Sequence, residues 1–286
     1  MISGQRLSIT TGSLNRLEPL RQSLATWLSH PEPDEVIIVD WGNRIPLLES
    51  LHDFIDPRII IARAENQKFW HNSKCHNLEL QLTSSEQLLR LDSDCLLGPT
   101  FFEKHVLEND CFFAGDWQDI PIEIDDKRNL TGTLYVHVSD VRAVNGYNER
   151  LAHYGYEDDD LYHRLAAKGL KRNNIDLSTV EHISHSDAQR YENLEIASQL
   201  PHPTASKQIR EKIAFNVKRN LTQMSRTIAT NSPWTTRDHM TEWRTQKMSS
   251  NYYICEEISK SKPREPLMYV DAVSPRRYRI QCIPID

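Results

Sequence analysis

The 286-residue chain has no apolar run near the ~20 residues that a membrane-spanning helix needs. Its opening, MISGQRLSITTGS, lacks the charged-then-apolar order of a signal peptide, so a soluble cytosolic protein is the expectation. There is no basic excess: the formal net charge is −6, which provides no global field for nucleic acid. Five scattered cysteines contain no C-x-x-C pair, which argues against a cysteine-built zinc site. Their odd number suggests reduced thiols. Glycine is scarce, and the TTGSLNR that ends the first apolar run holds a single one, so a Gly-rich phosphate loop is missing. There is no internal repeat and no low-complexity tract. A hydrophobic content of 38% leaves room for a sizeable core and for loop or lid segments beside it.

What is present is alternation. RLSITTG (6–12) reads as a strand, and the SLNRLEPLRQSLATWLSH after it places Leu17, Leu20, Leu24, Trp27 and Leu28 at helical spacing. Ser13 or Asn15 is the expected cap, and Pro19 fits only the first turn. DEVIIVDWGN (34–43) is a β-branched apolar run ending in turn residues, as a buried parallel strand requires, and RIIIARA (58–64) is another. NSKCHNLELQLTSS reads as a helix and EQLLRLDSDCLL (86–97) as a further strand. This β-α-β-α-β order predicts an open α/β sheet, whose ligands sit beyond the carboxyl ends of its strands. Thr10–Gly12, Asp40–Asn43 and Asp92–Asp94 all fall at such ends. A second section follows: strand-like CFFAGDWQDI (111–120), then a strand and short helix in 130–149 stopped at Asn145–Gly146.

Three constellations carry chemistry. In LLRLDSDCLL two carboxylates at i and i+2 follow a buried strand. Hard oxygen ligands of this kind suit Mg2+ or Mn2+ held with a phosphate-bearing ligand; a turn or helix cap is the bland reading. In VEHISHSD, His182 and His185 stand three apart, able to share one metal or to be surface histidines. In YGYEDDDLYHRL, four consecutive acids follow an aromatic-glycine-aromatic turn. A helix dipole accounts for one or two of them but not for four. An aromatic surface beside a carboxylate suits a sugar ring whose hydroxyl gives its proton to a general base. The expected division is one base, one hydroxyl-orienting partner and one or two capping acids.

VDWGN, LDSD, GYNERLAHYGYEDDDLYHRLAAKG and HISHSD together resemble the GT-A glycosyltransferases. The N-terminal part is similar to the family 2 type. About 130–187 is similar to the galactosyltransferase-type module of β-1,4-galactosyltransferases and chondroitin-type polymerases. The resemblance implies an α/β GT-A fold, Rossmann-like with a mostly parallel open sheet and flanking helices. It also implies an inverting transfer of a hexose from a UDP-sugar to a hydroxyl of a glycan acceptor, with Mn2+ or Mg2+ as cofactor. It places Asp94, His182 and His185 on the metal, His182 standing where the family has a Met. Asp92 and Ser93 fall on the donor sugar or ribose, Thr11, Asn15 and Arg16 near the nucleotide, and Asp40 on the uracil. Asp158 falls on the base and Glu157 on the residue that orients the acceptor hydroxyl, leaving Asp159 and Asp160 as structural. Tyr154, Gly155 and Tyr156 fall on the acceptor, with Tyr154 in the place of a Trp and Tyr156 in the place of a second Gly. Residues 186–202 match a lid that orders over the donor.

The expected domains are a catalytic unit, 1–202, and a C-terminal extension, 203–286. The first comprises a nucleotide-binding half, 1–100, and an acceptor-binding half, 101–202. Residues 206–229 carry Lys207, Arg210, Lys212, Lys218, Arg219 and Arg226 against Glu211, around an apolar stripe at helical spacing. Such a helix packs on its own domain with its charges in water, or docks as a peripheral element on an anionic membrane or acceptor. Two other functions share parts of this pattern. A nucleotidyltransferase also uses carboxylate-held metal, but the Gly-rich loop is missing. A non-catalytic sugar-binding relic is opposed by the intact set of Asp92, Asp94, Asp158, His182 and His185.

Overall fold

Four strands build the donor half in the spatial order β3-β2-β1-β4, all parallel: β1 (Leu7–Ser13), β2 (Glu35–Asp40), β3 (Ile59–Ala64) and β4 (Gln87–Arg90). β1, β2 and β4 are buried along their whole length, as strands covered on both faces must be. Helices α1 (Leu17–Leu28), α2 (Leu47–Ser50) and α3 (Asn72–Leu82) connect them. α1 turns Leu20, Leu24 and Trp27 into the core, with Leu17 and Leu28 at its margin. Pro19 sits in its first turn, but the cap position falls on Arg16, which makes no side-chain capping bond. β1 lies between β2 and β4, so the carboxyl ends of β1 and β4 border the topological switch point.

This computed structural model describes residues 4–115, 130–152, 154–185, 207–258, 268–274 and 277–282, with backbone alone at 207–212, at 214 and beyond 267. The expected lid, 186–202, lies outside the described residues.

The expected single strand over 86–97 is broken after Arg90. Cys95 N–H bonds Asp92 O at 3.0 Å, and the chain leaves the sheet through that turn. β5 (Cys95–Leu97) then pairs antiparallel with β9 (Val180–His182) in a small separate ladder, Cys95 opposite His182. After the short α4 (Phe101–Lys104) come β6 (Cys111–Ala114), β7 (Leu134–His137), α5 (Val138–Ala143), α6 (Glu157–Ala167) and β8 (Lys171–Asn174). They extend the sheet as β4-β7-β6-β8, with β7 antiparallel to both neighbours. α5 ends at Asn145 and Gly146, both at positive φ, where the sequence places its stop.

The extension joins the same core. Helix α7 (Lys207–Asn231) packs Leu221 and Met224 against Trp70 and Tyr154. β10 (Trp243–Lys247) and β11 (Tyr252–Glu257) complete a nine-stranded sheet, β11 lying parallel to β3. Between helix and strands, Trp234 Nε1 donates to Asn145 O at 2.7 Å and Thr241 Oγ1 to Glu149 Oε2 at 2.6 Å. β12 (Met268–Ser274) and β13 (Arg277–Cys282) form a separate antiparallel pair. Cys75, Cys95, Cys111 and Cys255 are buried free thiols. No helix of the described residues is long and apolar enough to cross a membrane.

Candidate active site

The β5–β9 ladder explains why two distant segments meet. Ile183 N–H continues the pairing to Asp94 O at 2.8 Å, which sets His182 and His185 beside the Asp94 carboxylate. One donor atom from each of the three lies within 4.8 Å of the others. Asp94 Oδ2 is 3.2 Å from His185 Nε2 and 3.8 Å from His182 Nε2. Arg16 reaches the same oxygen at 2.6 Å from the turn after β1. Burial disfavours the charged carboxylate of Asp94. The hydrogen bond from His185 and the charge of Arg16 outweigh it, and the group is held below its ordinary pKa. One carboxylate and two imidazoles form a donor set that fits a divalent transition ion.

β5 itself is held by α1: Trp27 Nε1 donates to Cys95 O at 2.8 Å, and Leu97 N–H donates to Thr26 Oγ1 at 3.1 Å. Asp92 stays half-exposed and accepts from Arg90 Nη2 at 2.6 Å, and Ser93 is buried between the two acids. At the end of β1, Thr11 is fully buried, and Asn15, at positive φ, donates its N–H to Asn43 Oδ1 at 2.5 Å. Asp40 is fully buried and committed to internal donors. Its Oδ1 takes the Asn43 N–H and side-chain amide, each at 2.8 Å; its Oδ2 takes Leu47 N–H at 3.0 Å and Arg63 Nη1 at 2.8 Å. It therefore builds the turn after β2.

The acidic motif begins on two consecutive left-handed residues, Gly155 at φ +88° and Tyr156 at φ +76°. A Cβ on Gly155 would come within 2.5 Å of Thr222 Oγ1 on α7, so the close helix contact as well as the turn requires glycine. Arg226 of the same helix lies 6.0 Å from the Tyr156 ring centroid. The turn sets Glu157 and Asp158 within electrostatic reach of Arg90 and Asp92. Glu157 is buried and accepts from Asn72, which in turn accepts from Trp70 Nε1. Asp158 is partly buried, and its Oδ1 has no hydrogen-bond partner. Burial comes first in raising Asp158 well above its ordinary pKa; Arg90 opposes, and Glu157, Asp92 and Asp159 add to the rise. Burial also raises Glu157. Asp160 is paired with Arg164, one turn on, at 2.8 Å, and that guanidinium also donates to Val144 O and Gly146 O, each at 2.7 Å. Of the four acids, Glu157 and Asp158 feel the charges of Arg90 and Asp92, and Asp160 holds the Arg164 that ties the helix to the segment after α5.

Trp70, Asn72 and Arg90 belong to this site but were not singled out from sequence. Asn72 and Trp70 precede or open α3 and carry no pattern that would reveal them. Arg90 did carry a signal, a charge inside an apolar strand run, which is rare unless it is paired.

A family model described as the N-terminal domain of galactosyltransferase matches residues 118–192. No curated protein sequence matches the chain. The catalytic domain of Drosophila β1,4-galactosyltransferase 7 with xylobiose superposes with a TM-score of 0.54 at 10% identity, covering 91% of this chain and 96% of that one. A mutant of that enzyme with manganese, UDP-Gal and xylobiose gives 0.54 at 12% identity and the same coverage, 91% and 96%. The mannosyltransferase PcManGT of Pyrobaculum calidifontis, with GDP-Man and Mn2+, gives 0.51 at 12%, covering 81% and 76%. The chain therefore has the GT-A glycosyltransferase fold, and within it residues 118–192 are galactosyltransferase-like in sequence.

Proposed function

We propose that the chain is an inverting, metal-dependent glycosyltransferase that moves a hexose from a UDP-sugar to a hydroxyl of a glycan acceptor. One observation carries the reading: the Asp94–His182–His185 cluster and the Glu157–Asp158 turn both border the segment that follows β4, the first through Asp94 itself and the second through the charges of Arg90 and Asp92 that act on Asp158. A diphosphate leaving group calls for a divalent cation and an attacking hydroxyl calls for a base. The two clusters supply one each.

Asp94, His182 and His185 would hold Mn2+ or Mg2+, which neutralises charge on the departing diphosphate. Mn2+ accompanies the sugar nucleotide in two of the superposed structures. Thr11, Asn15, Arg16, Asp92 and Ser93 line the donor side. Asp40 serves it by fixing Asn43 and Arg63. Tyr154, Gly155 and Tyr156 form the acceptor side, backed by α7. Asp158 takes the acceptor proton as the acceptor oxygen bonds the anomeric carbon. The bond to the diphosphate oxygen breaks on the opposite face and UDP leaves. Glu157, fixed by Asn72, orients the hydroxyl. The raised pKa of Asp158 suits a base that works near neutral pH. A glycan or glycoconjugate is the acceptor class, and the exposed Arg219 and Arg226 of α7 offer contact with an anionic surface.

Calorimetric titration of UDP, then of UDP- and GDP-sugars, with and without Mn2+, tests the reading. Mn2+-dependent UDP binding with one preferred UDP-sugar supports it. Absence of nucleotide binding in either condition rejects it.

A further inference from the structure

Arg90 places a charge at the carboxyl end of a buried strand, 5% exposed, with Thr10 of β1 and Leu134 of β7 as its neighbours in the sheet. A buried guanidinium is costly unless its donors find partners, and here the two terminal nitrogens do while Nε has none. Nη1 donates to Gly132 O at 2.6 Å and Nη2 to Asp92 Oδ1 at 2.6 Å, while His76 Nε2 lies 2.7 Å from Nη2. Since Nε2 of His76 faces a donor, its proton sits on Nδ1, which is 3.1 Å from Glu79 Oε1. Glu79 Oε2 accepts from Thr10 Oγ1 at 2.9 Å. Thr10, Glu79, His76 and Arg90 are all buried, and the series runs from β1 through α3 to the donor-side Asp92. Cys75, His76 and Glu79 also bring donor atoms within 4.8 Å of one another. The guanidinium against His76 already supplies the cation there, so the cluster is a charge relay and not a second metal centre.

The relay ends beneath the acidic turn. Asp158 and Tyr162, four apart, share one face of α6. Tyr162 Oη donates to Thr131 O at 2.7 Å and reaches Thr133 O at 3.5 Å, the residues on either side of Gly132. A Cβ on Gly132 would lie 2.9 Å from Asp92 Oδ2 and would also strike the Arg90 guanidinium. Arg90, Asp92, residues 131–133 and the face of α6 that bears Asp158 are thus one packed unit.

We propose that Arg90 is a positioning residue for the reaction: anchored from behind by Glu79 and His76, it fixes Asp92 and sets the charge that Asp158 experiences. The proposal rests on the reading in which Asp158 is the base. The charges facing Asp158 are Arg90, which favours its ionised form, and Glu157, Asp92 and Asp159, which oppose it. The buried phenols of Tyr147 and Tyr162 also face it, both kept protonated by burial first and by the Asp158 charge second.

The test is an NMR titration of the 13C-labelled aspartate carboxyls, with Asp158 assigned by its loss in Asp158→Asn. Arg90→Met should raise the Asp158 midpoint by about one pH unit or more, the size expected for loss of a close opposite charge. Arg90→Lys should restore most of it. Glu79→Gln removes an anion behind the guanidinium, its one amide oxygen keeping the Thr10 bond at the expense of the His76 one, and should move the midpoint the other way by less. Opposite signs from two changes in one buried unit distinguish charge-setting from loosened packing. The acid limb of UDP release from the preferred UDP-sugar should follow each midpoint. Midpoints that stay put in Arg90→Met and Glu79→Gln overturn the proposal; if Arg90→Met does not fold, Arg90→Lys and Glu79→Gln decide it by the same criterion. The titration needs no turnover. A wild-type chain that consumes no UDP-sugar overturns the transferase reading, while the midpoints still decide the role of Arg90.

Discussion

Arg16 and Asp94 lie 78 residues apart in sequence and meet at 2.6 Å, so one guanidinium ties the turn after β1 to the turn after β4 across the switch point. The same Asp94 oxygen faces both histidines. Asp94→Asn keeps the size of the side chain and removes its charge. The Mn2+-dependent part of UDP affinity should fall at least tenfold, read by calorimetry with and without the ion. A Mn2+ dependence equal to wild type would take Asp94 out of the metal site.

Asp158→Asn should abolish transfer, retain UDP binding and raise thermal stability at neutral pH. The sign follows from linkage. Burial first, and then like charges, lift the folded-state pKa of Asp158 above its unfolded value, so the folded chain holds the proton to higher pH. Ionisation therefore costs stability progressively from the ordinary carboxylate range up through the raised value. The melting temperature of Asp158→Asn should exceed wild type at pH 8, with the gap closing toward about pH 4. For a chain of this size each kcal/mol relieved is worth roughly 2–4 °C. A gap that does not change with pH would contradict the assignment of the shift.

Tyr156 holds a left-handed backbone at the start of α6, an unfavourable conformation for any residue with a Cβ. Its ring lies near Arg226 and 6.3 Å from His163. Tyr156→Ala loses those contacts and keeps the strain; Tyr156→Gly loses the same contacts and releases it. The glycine variant should therefore be the more stable of the two by about 1–2 kcal/mol in denaturant melts. Equal stability would mean that the turn carries no strain.

Trp27→Phe keeps a ring in the core and deletes the N–H that holds Cys95 O. It should cost about 1 kcal/mol in stability and weaken Mn2+-dependent UDP binding, because β5 carries the register that sets Asp94 against His182. Loss of stability with unchanged metal dependence would show that β5 keeps its register without α1.

The parallel core was legible because each of its strands is short, apolar and bounded by turn residues. The acidic turn and the DSD segment were legible because charge clustered at strand and helix ends is conspicuous. The break after Arg90 was not, since leucine pairs stand on either side of it, Leu88–Leu89 and Leu96–Leu97, and the partner of the second piece lies far along the chain at Val180–His182. β10 and β11 escaped for a related reason. WRTQK is almost wholly polar, and YYICEE becomes a strand through its parallel pairing with β3. The meeting of Asp94 with His182 and His185 followed from the family resemblance and not from local pattern, because it depends on a ladder between distant segments.

The seating of β11 against β3 also bears on how the molecule comes into being. During synthesis β3 leaves the ribosome with its neighbour β2 already made, but its other edge waits for β11, a far later segment. Until Tyr252–Glu257 emerge, the nascent sheet carries a row of unpaired amides and carbonyls beside Ile59 and Ile61, the template that promotes association between chains. The sheet of the donor half is therefore completed only after β11 has been made. A nascent chain stalled before residue 252 should engage chaperones or aggregate, even though every candidate catalytic side chain has already been made.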